Sequence, residues 1–211
     1  MTKVITFTVG PIREHPYLVI SKKQKLAIVI DPGGGVDEII DVLAKYKCNL
    51  KYIINTHFHP DHISHNAILK DMTSARILIH KNDAGGLAQN WEAFSKKYDW
   101  PVIPSKADKS LKDGEVIKLE DISLEIIHTP GHTSGSSCVY LKKEKILFTG
   151  DTLFYHTTGR IDLPHSQPEI MKKSLDKLFK LPKNTTIYPG HGPSSTIGEE
   201  IKYNSDKMGY F

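Results

Sequence analysis

The stretch Thr56-His57-Phe58-His59-Pro60-Asp61-His62 follows the short apolar run Tyr52-Ile53-Ile54 and brings four metal-capable side chains within six residues. Residues two apart in extended chain project to the same side, so His57 and His59 share a face and Asp61 continues that phase. His62, directly after it, reaches another direction if a helix begins there. Imidazole and carboxylate donors packed at the end of a strand suit one or two metal ions. The lesser alternative for the cluster by itself is a solvated, histidine-rich loop, because short motifs produce false positives.

Three further segments have the same character. Thr129-Pro130-Gly131-His132-Thr133, Phe148-Thr149-Gly150-Asp151-Thr152 and Tyr188-Pro189-Gly190-His191-Gly192 each set a histidine or aspartate just after a strand-like run. In each, a glycine lets the backbone bend. A site assembled at one edge of a sheet has this layout. His132 or His191 alone would read as an ordinary surface or core histidine. Together the segments supply five histidines and two aspartates, and burying that many polar groups is costly unless something satisfies them.

Working outward, strand-like runs fall at Val4–Val9, Tyr17–Ile20, Leu26–Ile30, Arg76–His80, Glu115–Leu119, Ile122–Ile127, Ser137–Leu141, Lys145–Phe148 and Thr186–Tyr188. Apolar residues at helical spacing mark Val36–Tyr46, roughly His62–Asp71, and Glu169–Phe179. Residues 81–115, with Gly85-Gly86, Trp91, Trp100, Pro101 and Pro104, have no clear period and read as helical pieces and a loop, a candidate lid over a pocket. Strands preceding helices in both halves predict sheets covered by helices. The expectation is one α/β domain over residues 1–211. Asp31 and Asp151 each end a strand, one in each half, which hints at an internal duplication.

Composition removes several classes of function. With 211 residues, 39% hydrophobic and 25% charged, the chain is of ordinary globular make-up. The net charge of +4 is scattered, unlike the clustered basic face of a nucleic-acid binder. All but three of the 28 basic residues are lysine; the exceptions are Arg13, Arg76 and Arg160. Two cysteines, Cys48 and Cys138, make neither a disulfide framework nor a four-cysteine zinc site. No apolar run is long enough to span a bilayer, and the N-terminal residues alternate like a strand rather than forming a signal-peptide core. The expected location is the cytoplasm, without membrane or nucleic-acid partners.

His57-x-His59-x-Asp61-His62, followed by His132, Asp151 and His191, resembles the full ligand set of the metallo-β-lactamase superfamily. The resemblance implies a four-layer αβ/βα sandwich of two mixed sheets with helices outside and a binuclear centre in the cleft between them. It assigns His57, His59 and His132 to a first metal and Asp61, His62 and His191 to a second. Asp151 bridges the two, and Asp61 and Asp151 are the carboxylates of the catalytic centre. The flanking Thr129–Gly135, Phe148–Phe154 and Gly190–Pro193 motifs resemble the hydroxyacylglutathione hydrolases, or glyoxalase II group. Gly159-Arg160-x-Asp162 and Ser195–Glu199 resemble its short members, which stop before the helical domain that contacts glutathione in longer enzymes. The implied activity is hydrolysis of S-lactoylglutathione or a related anionic thioester by metal-activated hydroxide. The implied cofactor is two divalent ions, zinc first, with iron or manganese as alternatives. Rival readings on the same fold are an iron-dependent persulfide dioxygenase using His57, His132 and Asp151, and a lactonase or other metallo-hydrolase.

Around this set, Arg160 is the candidate for an anionic substrate group, against the alternative that it only pairs with Asp162. Tyr155 and His156 are candidates for shaping the substrate pocket. Asp31 reads as a residue that orients a ligand, His65 as local packing and Cys138 as a small core residue. His15, His80, His128 and His165 are left outside the site, with His165 the exception to watch because of Arg160 nearby. Gly33–Gly35 is a turn without the spacing of a phosphate loop.

Overall fold

Tyr17–Ser21 and Leu26–Ile30 are almost wholly buried along their length, which a strand can be only if both faces of its sheet are covered. Their side chains alternate accordingly: Tyr17, Val19, Ile28 and Ile30 enter one apolar cluster, and Leu18, Ile20, Ala27 and Val29 enter another. The structure, a computed structural model, describes residues 2–21 and 23–205. Met1, Lys22 and residues 206–211, which fall within the expected 1–211 domain, lie outside the described residues.

The first sheet has six strands in chain order: β1 (Thr2–Thr6), β2 (Tyr17–Ser21), β3 (Leu26–Ile30), β4 (Asn49–Asn55), β5 (Arg76–His80) and β6 (Lys109–Leu111). The second also has six. It contains β7 (Val116–Leu119), β8 (Ile122–His128), β9 (Ser137–Leu141), β10 (Ile146–Gly150), β13 (Thr186–Pro189) and β14 (Ser195–Thr196), in the order β14-β13-β10-β9-β8-β7. A small ribbon, β11 (Leu153–Phe154) with β12 (Thr157–Thr158), lies beyond β10.

The central cluster holds Tyr17, Ile28, Ile54 and Leu78 from one sheet and Leu124, Ile126, Val139 and Phe148 from the other, so the sheets stack face to face. On the outer face of the first sheet, Ile39 and Leu43 of α1 (Val36–Tyr46) and Leu69 of α3 (Asn66–Thr73) pack on Val29, Ile53 and Ile77. On the outer face of the second, Met171, Leu175 and Leu178 of α5 (Pro168–Leu178) cover Cys138, Tyr140 and Leu147. The fold is the expected αβ/βα sandwich. Among the described residues the remaining α-helices are α2 (Pro60–Ile63), α4 (Glu92–Tyr98) and α6 (Ile197–Ser205), and a 3-10 helix spans Ala84–Ala88.

Strand direction places the site. β3, β4 and β5 run parallel. β9 is antiparallel to both β8 and β10, and β13 is parallel to β10, so β8, β10 and β13 also share one direction. The residues after β3, β4, β8, β10 and β13 are therefore delivered to one edge of the sandwich. Two of the differences from the sequence reading bear on the region of the site. Pro60, with no N–H to lose, opens α2 at once, and the single expected helix is broken at Ser64-His65 into α2 and α3. Within residues 81–115, β6 was missed because its three residues form a strand only by pairing with β5. Among the described residues no helix is long and apolar enough to cross a membrane.

The turn after β3 passes so close to α2 that a Cβ on Gly33 would overlap the backbone carbonyl of Asp61, whereas a Cβ on Gly85 meets nothing. Gly33→Ala is expected to cost at least ~2 kcal/mol in chemical denaturation, and Gly85→Ala to stay within about 0.5 kcal/mol of wild type. Equal stability of the two variants would contradict this packing.

Candidate metal centre

The seven residues expected from the sequence lie together, in two groups that meet at Asp151. His59 Nδ1 is 3.1 Å from His57 Nε2 and 2.8 Å from His132 Nε2. On the other side, Asp61 Oδ2 is 3.1 Å from His191 Nε2 and 3.4 Å from His62 Nε2. Asp151 stands between them, with Oδ1 3.3 Å from His62 Nε2, and Oδ2 3.5 Å from His132 Nε2 and 3.9 Å from His191 Nε2. Asp61 does not keep phase with His57 and His59, because α2 starts at Pro60 and swings the aspartate toward His191.

The outer nitrogens of four imidazoles face acceptors. His57 Nδ1 lies 3.1 Å from Thr56 Oγ1, whose own proton goes to Asp31 Oδ2 at 2.5 Å. His62 Nδ1 is 3.1 Å from Asp31 Oδ2, His132 Nδ1 is 2.8 Å from the Arg160 carbonyl, and His191 Nδ1 is 3.1 Å from the Ile12 carbonyl. An N–H donated outward leaves the Nε2 lone pair pointing inward, the arrangement that orients histidine ligands at metal sites. Asp31 can be grouped with His57 and His62 as a metal-binding trio. However, its oxygens also accept from Thr56 N at 2.7 Å and from Thr56 Oγ1, so it orients ligands, in keeping with its sequence reading.

These residues fit a divalent-metal pair on three observations. Several nitrogen lone pairs converge at distances suited to sharing a cation. His62 Nε2 and Asp151 Oδ1 are buried with no hydrogen-bond partner. The charges also demand compensation. Burial alone would lower His62, yet Asp61, Asp151 and Asp31 raise it well above the ordinary histidine value. Burial would likewise raise Asp151, but His62 and His57 hold it well below the carboxylate range. Burial pushes His57 down and His59 down to about 3, so both are neutral donors.

A cavity of about 740 Å³ opens over these groups, and Ile12, Trp91, Phe94, Tyr98 and Phe154 are among the residues lining it. Arg160 reaches its rim, where it makes a bidentate pair with Asp162 at 2.9 Å for each bond, and its side chain is 67% exposed. His165 also lines the cavity. Tyr155 and His156 do not: they stack on each other at 3.8 Å, and His156 stacks on Tyr203 at 3.9 Å. The β11–β12 ribbon turns them away from the cleft and leaves Phe154 facing it, which corrects the expectation that they shape the pocket.

Two supporting residues escaped the sequence reading. Glu14 is fully buried, with both carboxylate oxygens unpartnered and Oε1 3.7 Å from His62 Nδ1. Burial holds its acid well above the usual range. It falls between the strand-like runs Val4–Val9 and Tyr17–Ile20, and is buried because His15 N bonds the Gly190 carbonyl at 2.9 Å and pins that loop over β13. Asp83 accepts from Thr133 Oγ1 and Gly135 N, both at 2.6 Å, and from the Phe58 backbone, tying the His57–His59 segment to the His132 turn. It lay in the segment with no period.

The architecture and the convergent histidines and aspartates define a metal-dependent hydrolase of the αβ/βα type. Residues 10–191 match the model of the metallo-beta-lactamase superfamily, and the chain belongs to that superfamily. It is 33% identical over 184 residues to a protein of Haemophilus influenzae named hydroxyacylglutathione hydrolase GloC, covering 86% of this chain and 87% of that one. It also superposes on the B3 metallo-beta-lactamase BLEG-1 with a TM-score of 0.87 at 30% identity, covering 95% of this chain and 97% of that one. For ETHE1 from Myxococcus xanthus the TM-score is 0.81 at 26% identity, with 96% and 83% covered.

Asp83 generates a test of this frame. Burial raises its carboxyl from 3.8 to about 6, so between those values the folded protein keeps a proton that the unfolded chain releases. The stability linked to that proton is complete below about pH 4 and is lost as the pH rises to about 6, by roughly 2–3 kcal/mol. Asp83→Asn cannot titrate, so the Tm difference between variant and wild type should change across that window and level off above it. A constant difference would show that Asp83 does not titrate there.

Proposed function

We propose that the chain is a glyoxalase II-type thioesterase that hydrolyses S-lactoylglutathione or a related anionic thioester. The observation that carries this reading is Asp151, whose two oxygens face two separate histidine groups. The identity shared with the Haemophilus hydroxyacylglutathione hydrolase supports the substrate class. His57, His59 and His132 would hold one divalent ion and Asp61, His62 and His191 the other, with Asp151 shared; zinc is the first expectation and iron or manganese the alternatives. Such a pair supplies Lewis acidity toward a carbonyl and draws a nucleophile from water at neutral pH.

The chain's own groups do the rest. Asp31, Thr56 and the carbonyls of Ile12 and Arg160 hold four imidazoles in the tautomer that faces inward. A substrate filling the cavity would displace its water, which strengthens every electrostatic interaction inside. Arg160, at the rim, would meet a carboxylate of the substrate. Its link to the centre runs through its backbone carbonyl, so its side chain could exchange Asp162 for that carboxylate without disturbing His132. A thiolate is a good leaving group, so no separate acid is required. The second reading, a one-iron persulfide dioxygenase, is favoured by the convergence of His57, His132 and Asp151. It leaves the orphaned His62 Nε2 without a purpose.

The test is steady-state hydrolysis of S-lactoylglutathione by metal-loaded protein with elemental analysis. Turnover abolished by a chelator, with two metals per chain, is expected; oxygen consumption with a persulfide and one iron per chain would replace this reading with the second. Asp151→Ala should lose most bound metal and nearly all activity, and near-wild-type values of both would refute the shared-ligand assignment. Arg160→Ala should raise KM several-fold with metal content intact. An unchanged KM would make Arg160 a partner of Asp162 only.

A further inference from the structure

Several residues other than glycine hold a positive φ. Lys47, Ser74 and Asp99 do so where they close helices, and Asp31 where it orients two ligands. Among the described residues, His165, at φ 75°, is the one of this set that lines the cavity. Ser166 N donates to the Leu163 carbonyl at 3.1 Å across Pro164-His165. Proline second and a positive φ third is the pattern of a type II turn, whose third position favours glycine. A histidine there carries a steric cost that glycine would remove. Strain of this kind clusters at binding and active sites.

The turn is anchored to the metal centre. Ser166 Oγ donates to the His132 carbonyl at 2.9 Å, and Gln167 N donates to the Gly131 carbonyl at 2.7 Å. The His165 ring meets Phe58, which lies between the ligands His57 and His59, edge-on at 5.7 Å between centroids. Even so, the residue is exposed, and among the described residues its ring nitrogens have no hydrogen-bond or ion-pair partner. Packing does not account for a strained position, and no protein group takes the imidazole's hydrogen bonds.

We propose that His165 is a substrate-contacting residue whose imidazole hydrogen-bonds an oxygen-bearing group of the thioester. The inference rests on the thioesterase reading and adds to it a residue that determines specificity. S-lactoylglutathione offers two sources of such oxygens, the acyl hydroxyl and the carboxylates and amides of the thiol arm, and either accepts a ring N–H.

The test compares metal-loaded wild type with His165→Gly and His165→Asn. Glycine should raise Tm by about 2–4 °C, because the left-handed cost is relieved. It should also raise KM for S-lactoylglutathione about three- to tenfold, with kcat and metal content kept. Asparagine tolerates the left-handed backbone and keeps a donor, so it should recover at least half of the lost binding. S-acetylglutathione lacks the acyl hydroxyl, and the S-ethyl thioester of lactate lacks every oxygen of the glutathione arm. The penalty of His165→Gly should vanish on one of these, which names the group contacted. An unchanged KM in the glycine variant, with or without a lower Tm, would reduce His165 to a brace for Phe58 and leave the thioesterase reading standing. A penalty that persists on both truncated substrates would show an effect through the fold and overturn the contact as well. If wild type hydrolyses none of the thioesters, the affinity of S-lactoylglutathione is read by calorimetry. Weaker binding by the glycine variant, recovered by asparagine, would keep the contact and remove the thioesterase reading. Equal affinities, or no binding, would remove both.

Discussion

One buried carboxylate coordinates both halves of the centre. Asp31, 2% exposed, accepts from Thr56 N, Thr56 Oγ1 and His62 Nδ1. Through Thr56 it sets the ring of His57 in the first group, and directly it sets His62 in the second. To do this it adopts a left-handed backbone conformation, φ 49°, which aspartate tolerates better than most residues but still at a cost. Hydrogen bonds to a charged acceptor in a low-dielectric interior are strong enough to offset that strain. Any shift of β3 against β4 would misorient a histidine in each group at once.

The sandwich makes such a shift difficult. β3 and β4 are central strands of the first sheet, covered by α1 and α3 on one face and by the second sheet on the other. Close-packed interiors of this kind transmit displacement and do not absorb it. The two sheets are also joined at the site itself, where Ser137 N donates to the Thr56 carbonyl at 2.9 Å. Asp83 and Glu14 add to this frame from loops on opposite sides of the centre. The outer region is different in kind. α4 is held by few buried contacts, so the part of the cleft that meets substrate can vary without disturbing the metal-binding edge.

The ligand residues were legible in the sequence because each follows a strand-like run and the donor types are rare in combination. His57 and His59 could be placed on one face from strand geometry alone. Asp61 was placed in the same phase wrongly, since its direction depends on where the helix opened by Pro60 begins. Tyr155 and His156 were misread for a related reason: a two-residue ribbon, too short to leave a periodic signal, decides that Phe154 faces the cleft and its neighbours do not. Glu14 and Asp83 carried no signal, because burial of a lone carboxyl in a loop is a property of what folds over it.

By itself the sequence determined the superfamily, the layering of helices on sheets and the identity of the candidate ligands. The layering follows from local periodicity, and the superfamily and the ligand set from the resemblance carried by the histidine and aspartate motifs, both of which are written along the chain. The tertiary structure decided which nitrogen of each histidine faces inward, which way Asp61 turns, and that an aromatic wall stands over them. Those features depend on contacts such as His132 with the Arg160 carbonyl, His191 with the Ile12 carbonyl and Phe58 with Trp91. Such partners are far apart in sequence, and only the common direction of the strands brings them to one edge.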